Sequence, residues 1–589
     1  MNSPLSVPKE TGTYADVFTV GGMSDLLASG TEKMIRIRDV GPCFEVSVDN
    51  LDEVIGRVAV WAGYDYLQTK AESVPVKEYV SYQVQKERVA RFAELRKAIR
   101  EKKASESDPV VMAQLEANRP LPNWRQLQVL NALQGFRNSN GVYAQIAATD
   151  VDTFRKTVTD GIAAICARRP SGVKWKTSSV QLFNPNAAKG YGLLKPSGTD
   201  RNNRTKEQWT DSFVEWLRYR GYFVTAAPFF IGSRSEHIRV FAPIPADISV
   251  SALRALCSEL RQAGLFGSAP RLDALAVLRL ARLLIDHSEF GVAPPSEDTA
   301  VFLRNGTPAR VISGLAVTHF QSLGQARAVS ELSTVALPGW FEIRSADDAS
   351  AWRLTLDEHR RVIVSLREDH SDEMGLLIAY RGFLEGRGKA ALDAFVDFVG
   401  AYGAFLPGAR ERPGRRFASF STDNFHRIVE GMVPDYLAIL DDPGFLAVAA
   451  AIRRSSVSAQ SLKSQNKEHR EIRYELLHEI RQKRIVGDGS QLIATLSDFI
   501  AAYNRENARQ AEIFRENKRT WRPQRHVTTA EFQSIVQLMQ ADGVPLVGAL
   551  LAAYASCRLT EVGEPGTSGI ENDAEVNDHT DVGISEEDQ

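Results

Sequence analysis

The sequence predicts an α+β N-terminal body followed by a C-terminal all-α helical bundle. Strand-like alternation of apolar residues is confined to the chain before residue 408, and beyond residue 416 apolar residues recur at helical spacing only. Between these parts GARERPGRR, residues 408–416, is rich in Pro, Gly and Arg and reads as a linker. At 589 residues the chain is longer than a single core normally grows, so about two to four domains are expected. The expected order is an α+β region over 1–407 with room for two subdomains, the linker, a bundle over 417–558, and a tail over 559–589.

Each element has its own signal. Residues 15–28 place Phe18, Met23, Leu26 and Leu27 at helical spacing. Residues 34–37 lead through Asp39-Val40-Gly41-Pro42 into Phe44, Val46 and Val48, which alternate with Glu45 and Ser47 as in a hairpin with one buried face. Residues 80–103 read as a long basic amphipathic helix, and Leu121-Pro122-Asn123-Trp124 as a turn entering another. Residues 170–204 are rich in Gly, Asn and Lys, too long for an ordinary connection and hence functional or disordered. Trp175, Phe183 and Tyr191 within them argue for order. A helix over 208–219 then passes to strands over 222–229 and 238–241, and LDALAVLRLARLLI, residues 272–285, is a helix apolar enough to need burial.

From 311 to 380 the pattern turns strand-like, including RVIVSL and the start of LLIAYRGFL, before a helix over 390–405. In the bundle Ile472, Leu476 and Ile480 form one stripe, and Leu492, Leu496, Phe499, Ile500 and Tyr503 a second. A last apolar helix over 544–554 is opened by Pro545 in its first turn. Short loops between such helices imply antiparallel packing.

Composition narrows the class. The four cysteines, Cys43, Cys166, Cys257 and Cys557, are far apart without a CxxC pair, which speaks against a zinc ribbon or a disulfide framework and for a reducing, cytoplasmic setting. No secretory leader and no membrane span are expected. The net charge of −2 hides an asymmetry. The tail from Leu559 holds ten acidic residues and no Lys or Arg, so the rest of the chain carries about +8. The tail is expected to be disordered.

Motifs of catalysis are missing. GFLEGRGKA, residues 382–390, misses the phosphate-binding loop by one residue of spacing and lacks its Ser/Thr. His478-Glu479 has Gln482 where a zinc protease needs its second histidine. No GxSxG elbow occurs, and the ten histidines form no HxH or HxxxH pair. The expectation is therefore a protein without enzymatic activity, cofactor or metal.

Nucleic-acid binding is the chemistry the charges favour. Between residues 451 and 525 stand 16 Lys or Arg against nine Asp or Glu. One cluster includes Arg470, Arg473, Arg481, Lys483 and Arg484, and another Lys518, Arg519 and Arg522 beside Trp521. Spaced cations with a stacking ring suit a single strand. In the 170–204 segment Lys174, Lys176, Asn184, Asn186, Lys189, Lys195, Arg201 and Arg204 are the candidates, among glycines that allow close approach to a phosphate. The competing reading of every such cluster is a solvated helix face with internal pairs such as Glu479–Lys483.

Several stretches resemble the large subunit of type I CRISPR surveillance complexes (Cascade). They are ADVFTVGGMSDLLASG with IRIRDVGPCFEVSV, QKERVARFAELRK with LPNWRQLQVLNALQGF, and QLFNPNAAKGYGLLKPSG with EWLRYRGYF. In the C-terminal part they are YELLHEIRQKR, LIATLSDFIAAYNREN and LLAAYASCR. The last three are similar to a helical bundle equivalent to the small subunit. The resemblance implies a non-catalytic subunit that recognises the motif flanking the target, stabilises the displaced strand and recruits a helicase-nuclease. Its partners would be guide RNA, target DNA and the other subunits, with no membrane. The resemblance assigns the loop residues Asn184, Asn186, Lys189 and Lys195 to duplex DNA or guide RNA, and Arg470, Arg473, Arg481, Lys483 and Arg484 to the displaced strand. The alternative is a nucleic-acid-binding subunit of another defence or mobile-element complex that uses no guide RNA.

Overall fold

The computed structural model describes residues 4–60, 66–70, 78–105, 107–133, 135–175, 182–183, 185, 211–231, 237–291, 301, 303, 306–323, 327–340, 342–386, 388–412, 414–459, 471–486, 489–517 and 524–559. They divide into two compact units. One holds the residues up to Leu337 with Ile343–Ala349, and the other Pro338–Glu342 with the residues from Ser350 onward.

The first unit is α+β. Its elements are β1 (Leu5–Pro8), α1 (Tyr14–Ala28), β2 (Arg36–Asp39), β3 (Cys43–Ser47), α2 (Leu51–Ile55), β4 (Leu67–Gln68), β5 (Val80–Ser81), α3 (Tyr82–Arg100), α4 (Pro109–Ala117), α5 (Trp124–Ala132), α6 (Phe136–Ala147) and α7 (Val151–Cys166). They continue with α8 (Ser212–Thr225), β6 (Ala227–Ile231), β7 (His237–Pro245), β8 (Asp247–Ser249), α9 (Val250–Gln262), α10 (Ala269–Asp286), β9 (Ile312–Ser322) and β10 (Arg327–Ala336).

Two antiparallel four-stranded sheets, ordered β1-β3-β2-β8 and β10-β9-β7-β6, flank α1. The expected hairpin is β2–β3, with Ile37 opposite Val46, and Phe44 and Val46 buried on its inner face. β8 joins this sheet from some 200 residues away, Arg36 facing Ser249, and the Arg36–Asp247 ion pair at 2.5 Å pins the junction. In the second sheet Arg239 is wholly buried between Asp273, at 2.6 Å, and Glu331, at 2.8 Å. A buried charge needs such partners, because an unpaired one costs several kcal/mol.

α1 is buried on every side, unlike a surface helix, which shows one apolar stripe. Its approach turn is held by Asp16, whose carboxylate accepts the backbone N–H groups of Glu10, Thr11 and Gly12. Its main neighbour is α8, and the two backbones touch. A Cβ on Gly22 would stand 1.8 Å from the Leu217 carbonyl oxygen, and one on Gly221 would stand 1.8 Å from that of Phe18. α8 therefore runs to Thr225, where a strand over 222–229 was expected. Tyr222, Phe223 and Val224 belong to the helix because its faces pack against α1, α9 and the aromatic cluster of Tyr143, Phe183 and Tyr219. Tertiary packing here overrides a strand-like run of residues.

The second unit is helical among its described residues: α11 (Ala346–Ser365, whose first turn groups with the first unit), α12 (Ser371–Glu385), α13 (Gly388–Arg410), α14 (Thr422–Met432), α15 (Leu437–Leu440), α16 (Pro443–Ser455), α17 (Leu476–Lys483), α18 (Ser490–Asn517), α19 (Thr529–Asp542) and α20 (Val544–Ser556). Of the stripes expected in the bundle, two are α18 and α20, and the third reaches α17 with Leu476 and Ile480 only, Ile472 preceding the helix. RVIVSL and LLIAYRGFL, expected as strands, lie in or at the end of α11 and in α12. In short apolar runs the two periods are hard to separate, and these bury only some positions, such as Val362, Ile363, Leu377 and Tyr380. Residues 408–416 are not where the chain divides. α13 continues to Arg410, whose guanidinium donates to the Val457 carbonyl at 3.1 Å and to Ser419 at 2.6 Å. Arg412 and Arg415 both reach the buried Glu373. The acidic tail from residue 560 lies outside the described residues.

His359 sits in this core among Trp340, Phe383, Phe395 and Phe420. Burial pushes its pKa down to about 3, so the ring is neutral, and its Nδ1 shares a hydrogen bond of 2.8 Å with the Tyr380 hydroxyl.

Three variants test this packing. Gly221→Ala should cost about 3 kcal/mol or more in urea unfolding, since the methyl group has only backbone to displace. Gly375→Ala, at an exposed site in α12 with nothing within 4 Å, should instead be stabilising by about 0.5–1 kcal/mol. The unfolded chain binds a proton at His359 below its ordinary 6.5 that the folded chain refuses until about 3. The His359 contribution is thus intact above 6.5 and lost as pH falls. Between about pH 7 and about pH 5 the wild type should lose about 2 kcal/mol more than His359→Gln; equal losses contradict the assignment.

Candidate nucleic-acid interface

α3 is the most exposed long helix of the first unit. Ser81 caps it by accepting the Val84 N–H, and Tyr82 stacks on Trp124 with ring centroids 5.0 Å apart. Along its 19 residues only Gln85 and Val89 are buried. Arg88, Arg91, Arg96, Lys97 and Arg100 are exposed on it, and Lys102 and Lys103 follow in the next turn. The acidic residues of the segment neutralise part of this charge. Glu101 pairs with Lys103 at 2.5 Å, and Glu87 accepts from Gln83 at 3.2 Å. Arg96 lies over the Phe92 ring at 5.7 Å. A cationic rod with little apolar burial is the arrangement in which phosphate contacts cost the fold least.

The 170–204 segment is tied to α8 where it is described. The Trp175 ring meets Phe213 and Trp216 at 6.1 and 5.6 Å. Leu182 and Phe183 are fully buried, and the Phe183 carbonyl accepts from Arg218 at 2.9 Å. Burial pushes the Arg218 pKa down, and Asp16 and Glu215 oppose that shift. Asp211 caps α8 and also accepts from the Ser171 N–H and hydroxyl at 2.6 and 2.7 Å. The order expected from Trp175 and Phe183 is present at those residues. Lys174 is exposed between these anchors. Lys176, Asn184, Asn186, Lys189, Lys195, Arg201 and Arg204 lie outside the described residues.

The bundle cations divide. Arg470, Lys518, Arg519 and Arg522 lie outside the described residues. Arg473 rests on the Phe499 ring at 5.6 Å. Arg481 is half-buried beside Gly400, and burial pushes its pKa down. Lys483 bonds Glu479 at 3.3 Å and Thr495 at 2.9 Å, the internal pair that the solvated-face reading expects. Arg484 pairs with Asp397 and donates to the Pro545 carbonyl at 3.2 Å. Lys483 and Arg484 thus brace α17 against α18, α13 and the start of α20, a role that a charge count does not reveal.

Sequence reasoning did not single out the cations around a cavity of about 450 Å3 between α1, α8 and α9. Arg220, Arg254 and Arg261 line it with Asp25. Asp25 holds Arg220 at 2.8 Å and pairs with Arg254 as well. The available signal was EWLRYRGYF, which sets Arg218 and Arg220 into an otherwise aromatic and apolar helix.

Among the described residues no group of three or more His, Cys, Asp or Glu side chains is placed to hold a metal ion. One described helix, α13, is long and apolar enough to cross a membrane, and most of that stretch is buried inside the structure. No protein-family model matches the chain, and no curated protein matches it.

Proposed function

We propose that this protein is a non-catalytic large subunit of a guide-RNA-directed DNA surveillance complex in the cytoplasm. In this reading it binds guide RNA and target DNA beside the other subunits, recognises the target-flanking motif, stabilises the displaced strand and recruits a helicase-nuclease. The observation that carries nucleic-acid binding is α3, whose exposed cations outnumber its acidic residues while its apolar contact is small. The resemblance of the N-terminal, loop and bundle segments to the Cascade large subunit supports the more specific role. The basic surplus of the chain outside its acidic tail points the same way. Base pairing would read the target sequence, leaving the protein to hold backbone and flanking duplex.

The test is anisotropy titration of a labelled DNA duplex with an unpaired central stretch. Arg88→Glu, Arg91→Glu and Lys97→Glu together should weaken binding by tenfold or more, and flatten log K against log salt by about 2–3. All three side chains are exposed, so the variant should unfold like the wild type. Unchanged affinity and slope would contradict the reading of α3.

A further inference from the structure

The turn between α9 and α10 presents an aromatic ring to solvent. Phe266 is 44% exposed, and among the described residues no other phenylalanine is as open. The local sequence is LRQAGLFGSAPRL, residues 260–272. Gly264 and Gly267 flank the ring at φ +60° and +122°, conformations that residues with a side chain rarely adopt. Leu265, next to it, is buried and anchors the turn. The guanidinium of Arg271 lies over the Phe266 ring, 4.6 Å from its centroid, and Arg271 is only 7% exposed. The ring is therefore backed by a buried cation and held on a glycine-bounded turn while much of its surface stays in water.

A ring already fixed in place loses little freedom when a flat partner settles on it. Nucleobases are flat and stack on aromatic side chains whatever their sequence, and an arginine stacked on the same ring adds to the attraction. The charge of the turn also suits a nucleic acid. Residues 260–272 hold Arg261 and Arg271 and no Asp or Glu, so the turn itself does not repel a phosphate backbone. Inside a duplex each base is covered by its neighbours, so a base must be unpaired to reach the ring. We propose that Phe266 is a stacking platform for an unpaired nucleobase of the bound strand. The proposal rests on the nucleic-acid reading of the chain but uses no residue of α3, so each can fail without the other.

The test takes the full-length protein and a single-stranded DNA of about 16 nucleotides with 5-iodouracil in place of thymine. Irradiation should join the strand to the tryptic peptide Gln262–Arg271, at Phe266. Phe266→Ala should weaken single-strand binding about fivefold to a hundredfold. It should leave blunt-duplex affinity, the slope of log K against log salt and urea unfolding unchanged, because stacking releases no counterions. Phe266→Trp should keep the single-strand affinity. Cross-links that avoid this peptide, or equal single-strand affinity in the wild type and Phe266→Ala, would overturn the proposal and leave α3 untouched. Loss of a co-purifying subunit in Phe266→Ala, with DNA binding intact, would make the ring a protein contact and overturn it equally. A wild type that binds no nucleic acid would overturn both readings.

Discussion

Where α1 and α8 cross at Gly22 and Gly221, no side chain separates the two backbones, and the first unit is arranged around that contact. Gly21 sits in the same seam, where a Cβ would meet the Thr225 methyl group at 2.7 Å. Close approach lets α1 bury all its faces between α8 and the two sheets. It also fixes what α8 presents on either side. Arg218 reaches Thr19 and the Phe183 carbonyl, anchoring the long segment. Arg220 reaches Asp25 and lines the cavity. A longer side chain at the seam would misplace both guanidinium groups together.

Charge is used in two ways in this chain. Arg220, Arg239 and Arg415 are drawn into ion pairs inside the units, where dehydration makes each bond to a charged partner stronger and an absent partner costly. The cations of α3 stay on the surface, where water screens them and side-chain pairing contributes little to stability. Only the second kind can be given up to a phosphate backbone without unpicking a core. Lys483 and Arg484 differ from α3 in another way, being held near the surface by Glu479, Thr495 and Asp397, although both segments look alike as counts of Lys and Arg.

Long periodic signals were legible from the sequence alone. The helix at 15–28, the β2–β3 hairpin, the basic helix, the apolar α10 and the stripes of α18 and α20 stand where their apolar spacing puts them, whereas the first bundle stripe is helical only from Leu476 on, with Ile472 ahead of α17. The misreadings share a cause. In α8, α11 and α12 aromatic or β-branched runs look extended locally, and packing partners far along the chain decide for helix. The segment 408–416 has the composition of a linker, but Arg410, Arg412 and Arg415 find acceptors in their own unit. α3 was legible as a basic helix because its charge is contiguous, but the sequence placed the candidate contacts in residues 170–204 and in the bundle instead. The cavity was not legible, because Asp25, Arg220, Arg254 and Arg261 come from three helices and meet only through the α1–α8 crossing.

The most direct test of the proposed function is purification of the tagged protein from its native cell together with whatever accompanies it, followed by sequencing of bound RNA. The account predicts short RNAs of uniform length that share a repeat-derived end, together with partner subunits. Recovery of the protein alone and free of RNA would contradict it.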